Sequence, residues 1–164
     1  MPPAFRQTFV ASSILDRLLD DDPKVTTESE SETLFDVGRH KHSVARDLEA
    51  LLNTRCVLEG DEILEPYPLS KKSLLDFGII DLSSLSLLNT DDRMFLEESI
   101  REAVERHEPR IARVRVSLDI SKEFCHVLKF RVDGLLKLHP SQPPVSFDAM
   151  LQLSSSTYQV KVEK

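Results

Sequence analysis

The stretch Arg110-Ile111-Ala112-Arg113-Val114-Arg115-Val116-Ser117-Leu118-Asp119-Ile120 decides the fold class. Its even positions Ala112, Val114, Val116, Leu118 and Ile120 are apolar, and Arg113, Arg115, Ser117 and Asp119 alternate with them. That is the two-residue period of a half-buried strand. The pattern returns at Phe124, His126, Leu128, Phe130 and Val132, and again at Val145, Phe147, Ala149, Leu151 and Leu153. Tyr158, Val160 and Val162 give a short last strand. Four alternating runs joined by short polar links predict an antiparallel meander with one apolar face that other elements must cover.

Upstream of Pro109 the period is helical. Asn89-Thr90-Asp91-Asp92 opens a helix, with Thr90 as the expected N-cap and the two aspartates on the positive end of the dipole. Leu96, Ile100, Ala103, Val104 and His107 line one face, and Pro109 ends the run because the residue before a proline is pushed out of the α region. A second long helix is expected from His40 to Thr54. Its Val44, Leu48, Leu51 and Leu52 form a stripe, with Arg46, Asp47 and Glu49 facing away and Asn53 near the end. The fold class is therefore α+β: N-terminal helices packed on one face of a C-terminal antiparallel β-meander of about four strands.

Residues 55–89, punctuated by Gly60, Pro66, Pro68 and Gly78, read as an irregular middle. Within it Ser73–Gly78 is expected to form a helical turn ended by glycine, and Asp81–Ser86 a second capped turn. A loop this long in a compact domain tends to be functional or to wrap a partner. Nearer the start, residues 1–10 read as a tail, and Ser13–Leu19 as a two-turn helix stopped by Pro23. Its stripe of Ile14, Leu15, Leu18 and Leu19 is too short to stand alone in water, which predicts docking. Residues 24–33, KVTTESESET, are a polar, acidic linker. The expected organisation is an N-terminal tail, docking helix and acidic linker over 1–33, and a single α+β domain over 34–164.

Composition narrows the function classes. A formal net charge of −7 over 164 residues opposes broad nucleic-acid binding, which needs a basic face. Two isolated cysteines, Cys56 and Cys125, point to buried thiols in a reducing compartment. The start MPPAFRQTFVASSIL does not read as a signal peptide, and no run approaches the roughly 18 apolar residues of a membrane span. The expected location is the cytoplasm.

Catalytic chemistry finds little support. Glu108, where a helix meets a strand, is the natural candidate for the general acid of a glycosidase, with Asp119 or Asp76 as its partner carboxylate. Arg106 and Arg110 flank it, however, and a guanidinium favours the ionised carboxylate, the opposite of what a general acid needs. A salt bridge orienting the turn is the better reading. His40 and His42 point apart on a helix, His126 sits on the apolar face of a strand, and Cys125 and His126 project to opposite faces, so no zinc set forms. Only four glycines are present, none in a phosphate loop, and no nucleophile elbow occurs. Neither an enzyme nor a metal or cofactor protein is expected. A sheet with open edges is, by contrast, a surface for partners, and Tyr158–Val162 is the expected edge, with Lys161 as a charge that could keep edges apart.

Four segments in order resemble the TssE family of type VI secretion baseplate wedge subunits. They are Ser13–Leu18 followed by Asp21-Asp22-Pro23, Ser43–Arg55 (SVARDLEALLNTR), Ser73–Asp81 (SLLDFGIID) and Glu108-Pro109-Arg110 ahead of a strand. Ala45 stands where many members carry a second arginine, and Phe77 where many carry tyrosine. The resemblance implies a cytoplasmic wedge subunit of a phage-like contractile baseplate, similar to a phage wedge protein long labelled lysozyme-like. It further implies association with TssF, TssG and TssK, a part in seating the first ring of the contractile sheath, and a fold related to the strand-exchanging sheath domain. On this basis Glu108, Pro109 and Arg110 are expected to form a rigid charged corner that binds a neighbouring subunit or the sheath, or else to brace the helix–strand junction.

Overall fold

A computed structural model describes residues 10–11, 13–18, 34–35, 37–56, 66–71, 73–81, 85–86, 89–119, 127–138, 142–152 and 157–163. The chain divides into two compact units, Met1–Val44 and Ala45–Lys164. The first holds β1 (Val10–Ala11), α1 (Ile14–Leu18) and β2 (Leu34–Phe35), and β1 pairs antiparallel with β2. On α1, Ile14, Leu15 and Leu18 of the expected stripe are exposed. Leu19, the turn at Pro23 and the linker 24–33 lie outside the described residues.

Helix α2 (Val37–Leu52) carries the boundary between the units and begins three residues before the expected His40. The second unit continues with α3 (Pro68–Lys71), a 3-10 turn (Leu74–Asp76), α4 (Thr90–His107), β3 (Ile111–Asp119), β4 (Val127–Leu136), β5 (Pro144–Gln152) and β6 (Thr157–Val162). The four strands form one antiparallel sheet in the order β3-β4-β5-β6, the expected meander. Phe130, Val132, Val145, Phe147, Ala149, Leu151 and Tyr158 on one face are buried, together with Leu48, Leu51 and Leu52 of α2 and Leu96, Ile100 and Val104 of α4. Apolar area removed from water at roughly 25 cal/mol per Å2 is the main force holding the helices to the sheet. The fold is α+β.

The cap of α4 differs from expectation by one residue. Asn89 is the N-cap, its Oδ1 accepting from the Asp91 amide at 3.1 Å, and Thr90 is already helical, its hydroxyl accepting from Arg93 at 2.8 Å. Asparagine is as good a cap as any residue, so the competing polar neighbour won.

The alternation in β3 breaks at its start. Ile111 and Val114 are both buried, Ala112 is only half-buried, and the register against β4 shifts between Ala112 and Arg115. Arg113 sits in this bulge with φ 54°, the left-handed region where a Cβ crowds the next carbonyl at a cost of roughly 1–2 kcal/mol. One extra residue therefore turns Ile111 inward in place of Ala112. Gly134, across from the bulge, leaves the space that the Ile111 side chain fills.

Tyr158 packs edge-on against Phe130, with ring centroids 5.9 Å apart, and its hydroxyl has no hydrogen-bond partner among the described residues. Burial pushes its pKa up from 10.0. A buried, unsatisfied hydroxyl costs roughly 1–3 kcal/mol, so Tyr158→Phe is expected to leave stability unchanged or raise it by about 1 kcal/mol in urea unfolding near neutral pH. Because the folded value is raised, the wild-type contribution is complete below the unfolded pKa and is lost as pH rises past about 10. Tyr158→Phe should remove that alkaline decline, and a variant declining as steeply as wild type would contradict this account of the residue.

Candidate interaction site at the helix–strand corner

The corner forms because α4 must stop at Pro109 and the chain must turn into β3. The Glu108 amide closes the helix by donating to the Val104 carbonyl at 2.8 Å, and the Ile111 amide returns to the Glu108 carbonyl at 3.2 Å. Lys137 N–H donates to the Arg110 carbonyl at 2.7 Å, tying the turn to the end of β4. Pro109 is exposed at the tip.

Glu108 is the buried acid of this turn, 4% exposed, with both oxygens engaged. Its Oε1 accepts from the Arg110 amide at 3.1 Å and from Arg110 Nε at 2.6 Å, while Oε2 accepts from Arg110 Nη2. The same Nη2 donates to Asp47 Oδ2 of α2 at 2.6 Å. Glu108 first, and Asp47 after it, hold the guanidinium's pKa above its ordinary value against the opposing effect of burial. Arg106, the other flanking cation, turns away and grips Asp76 at 2.8 and 3.0 Å. His107 Nε2 lies 3.0 Å from the Asp76 carbonyl oxygen, and its ring meets Phe77 edge-on at 5.3 Å. The expected salt bridge at the turn is thus present, and it extends to both neighbouring segments.

Asp47 and Glu49 correct the expectation that they face away. Asp47 completes the triad, and Glu49 Oε2 accepts from the Val160 amide on β6 at 2.9 Å. Asn53, just past the helix end, acts as a strand mimic: its Nδ2 donates to the Tyr158 carbonyl at 3.0 Å and its Oδ1 accepts from the Tyr158 amide at 2.9 Å. At the opposite edge, Glu97 Oε1 accepts from the Leu118 amide at 3.0 Å. Both sheet edges are therefore capped along part of their length by side chains from the covering helices, a device that blocks uncontrolled strand pairing. Periodicity alone sorts residues into apolar and polar faces and cannot see such tertiary partners. The signal available was the density of Asp, Glu and Asn in residues 47–53.

Between α2 and α4, residues 54–56 and 73–79 hold contacts that periodicity does not show. Ser73 caps the 3-10 turn by accepting from the Leu75 amide, and Gly78 follows at φ 123°. Cys56 N–H donates to the Ile79 carbonyl at 2.8 Å and Ile79 N–H to the Thr54 carbonyl at 2.9 Å, a parallel bridge passing directly over Gly78. Asp81–Ser86 cannot be compared in full, because residues 82–84 lie outside the described ones. The same holds for Cys125 and His126.

The two partner carboxylates considered for Glu108 are placed differently. Asp119 ends β3 eight residues beyond Ile111, roughly 26 Å along a strand, against the roughly 5–9.5 Å between paired glycosidase carboxylates. Asp76 is bound to Arg106. What the arrangement does is lock the end of α4, the start of β3 and the middle of α2 through charge-assisted, forked hydrogen bonds, with a proline presented outward.

No curated protein matches the chain. The family model described as baseplate wedge protein gp25 matches residues 39–141, a span that holds Asp47, Glu49, Asn53, Asp76 and the whole Glu108–Arg110 corner. The match covers well over half of the sequence, and its α2, corner and first two long strands are the parts whose geometry is described above. The chain belongs to the baseplate wedge protein gp25 family and has the structural role of a phage-tail-like baseplate component.

Proposed function

We propose that the chain is a TssE-type wedge subunit of a type VI secretion baseplate. In this reading it works in the cytoplasm, associates with TssF, TssG and TssK, and helps seat the first ring of the contractile sheath. The observation that carries the reading is the family match over residues 39–141, joined to the four TssE-like segments in order. Glu108 holds Arg110 in place, while exposed Pro109 and the outer part of the Arg110 side chain meet a neighbouring subunit. A turn stiffened by proline and an internal ion triad loses little freedom on binding, which favours affinity.

The role is structural and not hydrolytic. Both Glu108 oxygens are committed to Arg110, which leaves neither free to meet a glycosidic oxygen. Purified protein should leave the turbidity of a cell-wall suspension unchanged; clearing that is lost in Glu108→Gln would overturn this part. For the assembly role, cells carrying the secretion genes and a fluorescent sheath protein should lose sheath foci when the chain is deleted. Pro109→Lys should fail to restore them, at a stability loss of no more than about 1 kcal/mol, the usual effect of removing a compatible proline. Full restoration by Pro109→Lys would remove the corner from the interface.

A further inference from the structure

Among the described residues, most arginines are paired. Arg46, Arg55, Arg101, Arg106, Arg110 and Arg131 each hold an acidic partner. Arg113 and Arg115 on β3 do not: both are exposed, and neither side chain has a hydrogen bond or ion pair with another described residue. In a chain with a surplus of seven acidic charges, two exposed arginines two positions apart are a conspicuous exception, and Asp133, opposite Arg115 on β4, accepts from the Ser146 hydroxyl at 2.6 Å instead.

Their backbone setting adds a second, independent observation. Arg113 occupies the bulge at φ 54°, a conformation that glycine adopts freely and that arginine adopts under strain. Strain retained at an exposed position, by the residue carrying the open charge, is characteristic of a recognition surface rather than of a fold requirement. β3 is also an edge strand, so nothing in the sheet lies beyond this pair. A carboxylate already sits on the same edge, where Glu97 accepts from the Leu118 amide at 3.0 Å.

We propose that Arg113 and Arg115 form a docking surface for an acidic segment of a partner protein, whose carboxylates pair with the two guanidinium forks. Arginine suits this use because its planar donors match a carboxylate two bonds at a time. Local charge complementarity selects the partner: two forked cations match carboxylates on one short segment, whereas an extended phosphate backbone needs the broad basic face that a chain of net charge −7 lacks. The surface is separate from the Glu108–Arg110 corner, whose cation is internally satisfied.

The test uses the full chain and a fluorescein-labelled peptide of alternating glutamate and serine with six acidic residues, read by anisotropy at about 50 and 150 mM salt, where surface pairing is progressively screened. Wild type should bind, and R113E/R115E should bind at least tenfold more weakly. K137E/K161E, which makes the same change of charge at exposed Lys137, just past β4, and exposed Lys161 on β6, should stay within about twofold of wild type. Arg113→Gly supplies a variant that folds better: its Tm should rise by about 2–4 °C while peptide binding falls at least threefold. Absence of wild-type binding, equal losses in both double variants, or a fall in Tm for Arg113→Gly would overturn the proposal. So would tighter binding of a single-stranded oligonucleotide of equal charge.

Discussion

Arg110→Ala is expected to destabilise the protein by roughly 3–4 kcal/mol, because it strands a buried carboxylate. Glu108 is 4% exposed and both of its oxygens depend on Arg110. Removing the guanidinium leaves a charge that water can scarcely reach, and it also cuts the link from the corner to Asp47. Asp47→Ala should cost only about 1 kcal/mol, since Asp47 is partly solvated and Arg110 keeps its forked partner. The two effects should not add, as the three side chains form one network. For a domain of this size the Arg110→Ala loss corresponds to a fall in Tm of about 10 °C. Glu108→Gln keeps the shape and the acceptor oxygen, so it should fall between the two. Were Arg110→Ala as stable as wild type in urea unfolding, the triad would not be the brace described here.

Gly78→Ala should cost about as much, for a backbone reason. A Cβ at this position would lie 2.5 Å from the Thr54 carbonyl oxygen and 2.9 Å from the Cys56 nitrogen. Both neighbours are backbone atoms, and both residues are fixed by the two hydrogen bonds of the Arg55–Ile79 bridge. The φ of 123° is itself closed to ordinary side chains. Relief requires opening the bridge, which also loosens the 3-10 turn that presents Asp76 to Arg106 and His107. A loss of about 3 kcal/mol or more is expected, with faster amide exchange at Ile79 and Cys56 as the local signature. Exchange at wild-type rates in Gly78→Ala would show that the bridge is not what the glycine serves.

These two positions mark the limits of what the sequence alone makes legible. The sheet was readable because each strand keeps one apolar face, from Val114 to Leu118 and through Leu128, Phe130 and Val132. Ile111 and Ala112 are both apolar, so hydropathy could not show which one turns inward; the bulge at Arg113 decided it. Gly78 was readable as a stop signal, yet its contact with the strand bridge is a matter of tertiary approach. Glu108 and Arg110 lie two residues apart and so disclosed their pairing, whereas Arg110 and Asp47 are 63 residues apart and did not. Asn53 and Glu49 read as helix-end and surface residues because their partners, the amides of Tyr158 and Val160, are more than a hundred positions away. The resemblance in residues 43–55 carried this information implicitly: the polar residues of that stretch hold the corner and the last strand.

The measurement that bears most directly on the wedge-subunit reading is co-expression of the full chain with TssF, TssG and TssK from the same system, followed by affinity capture and size-exclusion chromatography. Stable co-elution with TssF and TssG, lost in Pro109→Lys, is the predicted result. Elution of the chain alone, with every partner present and folded, would contradict it.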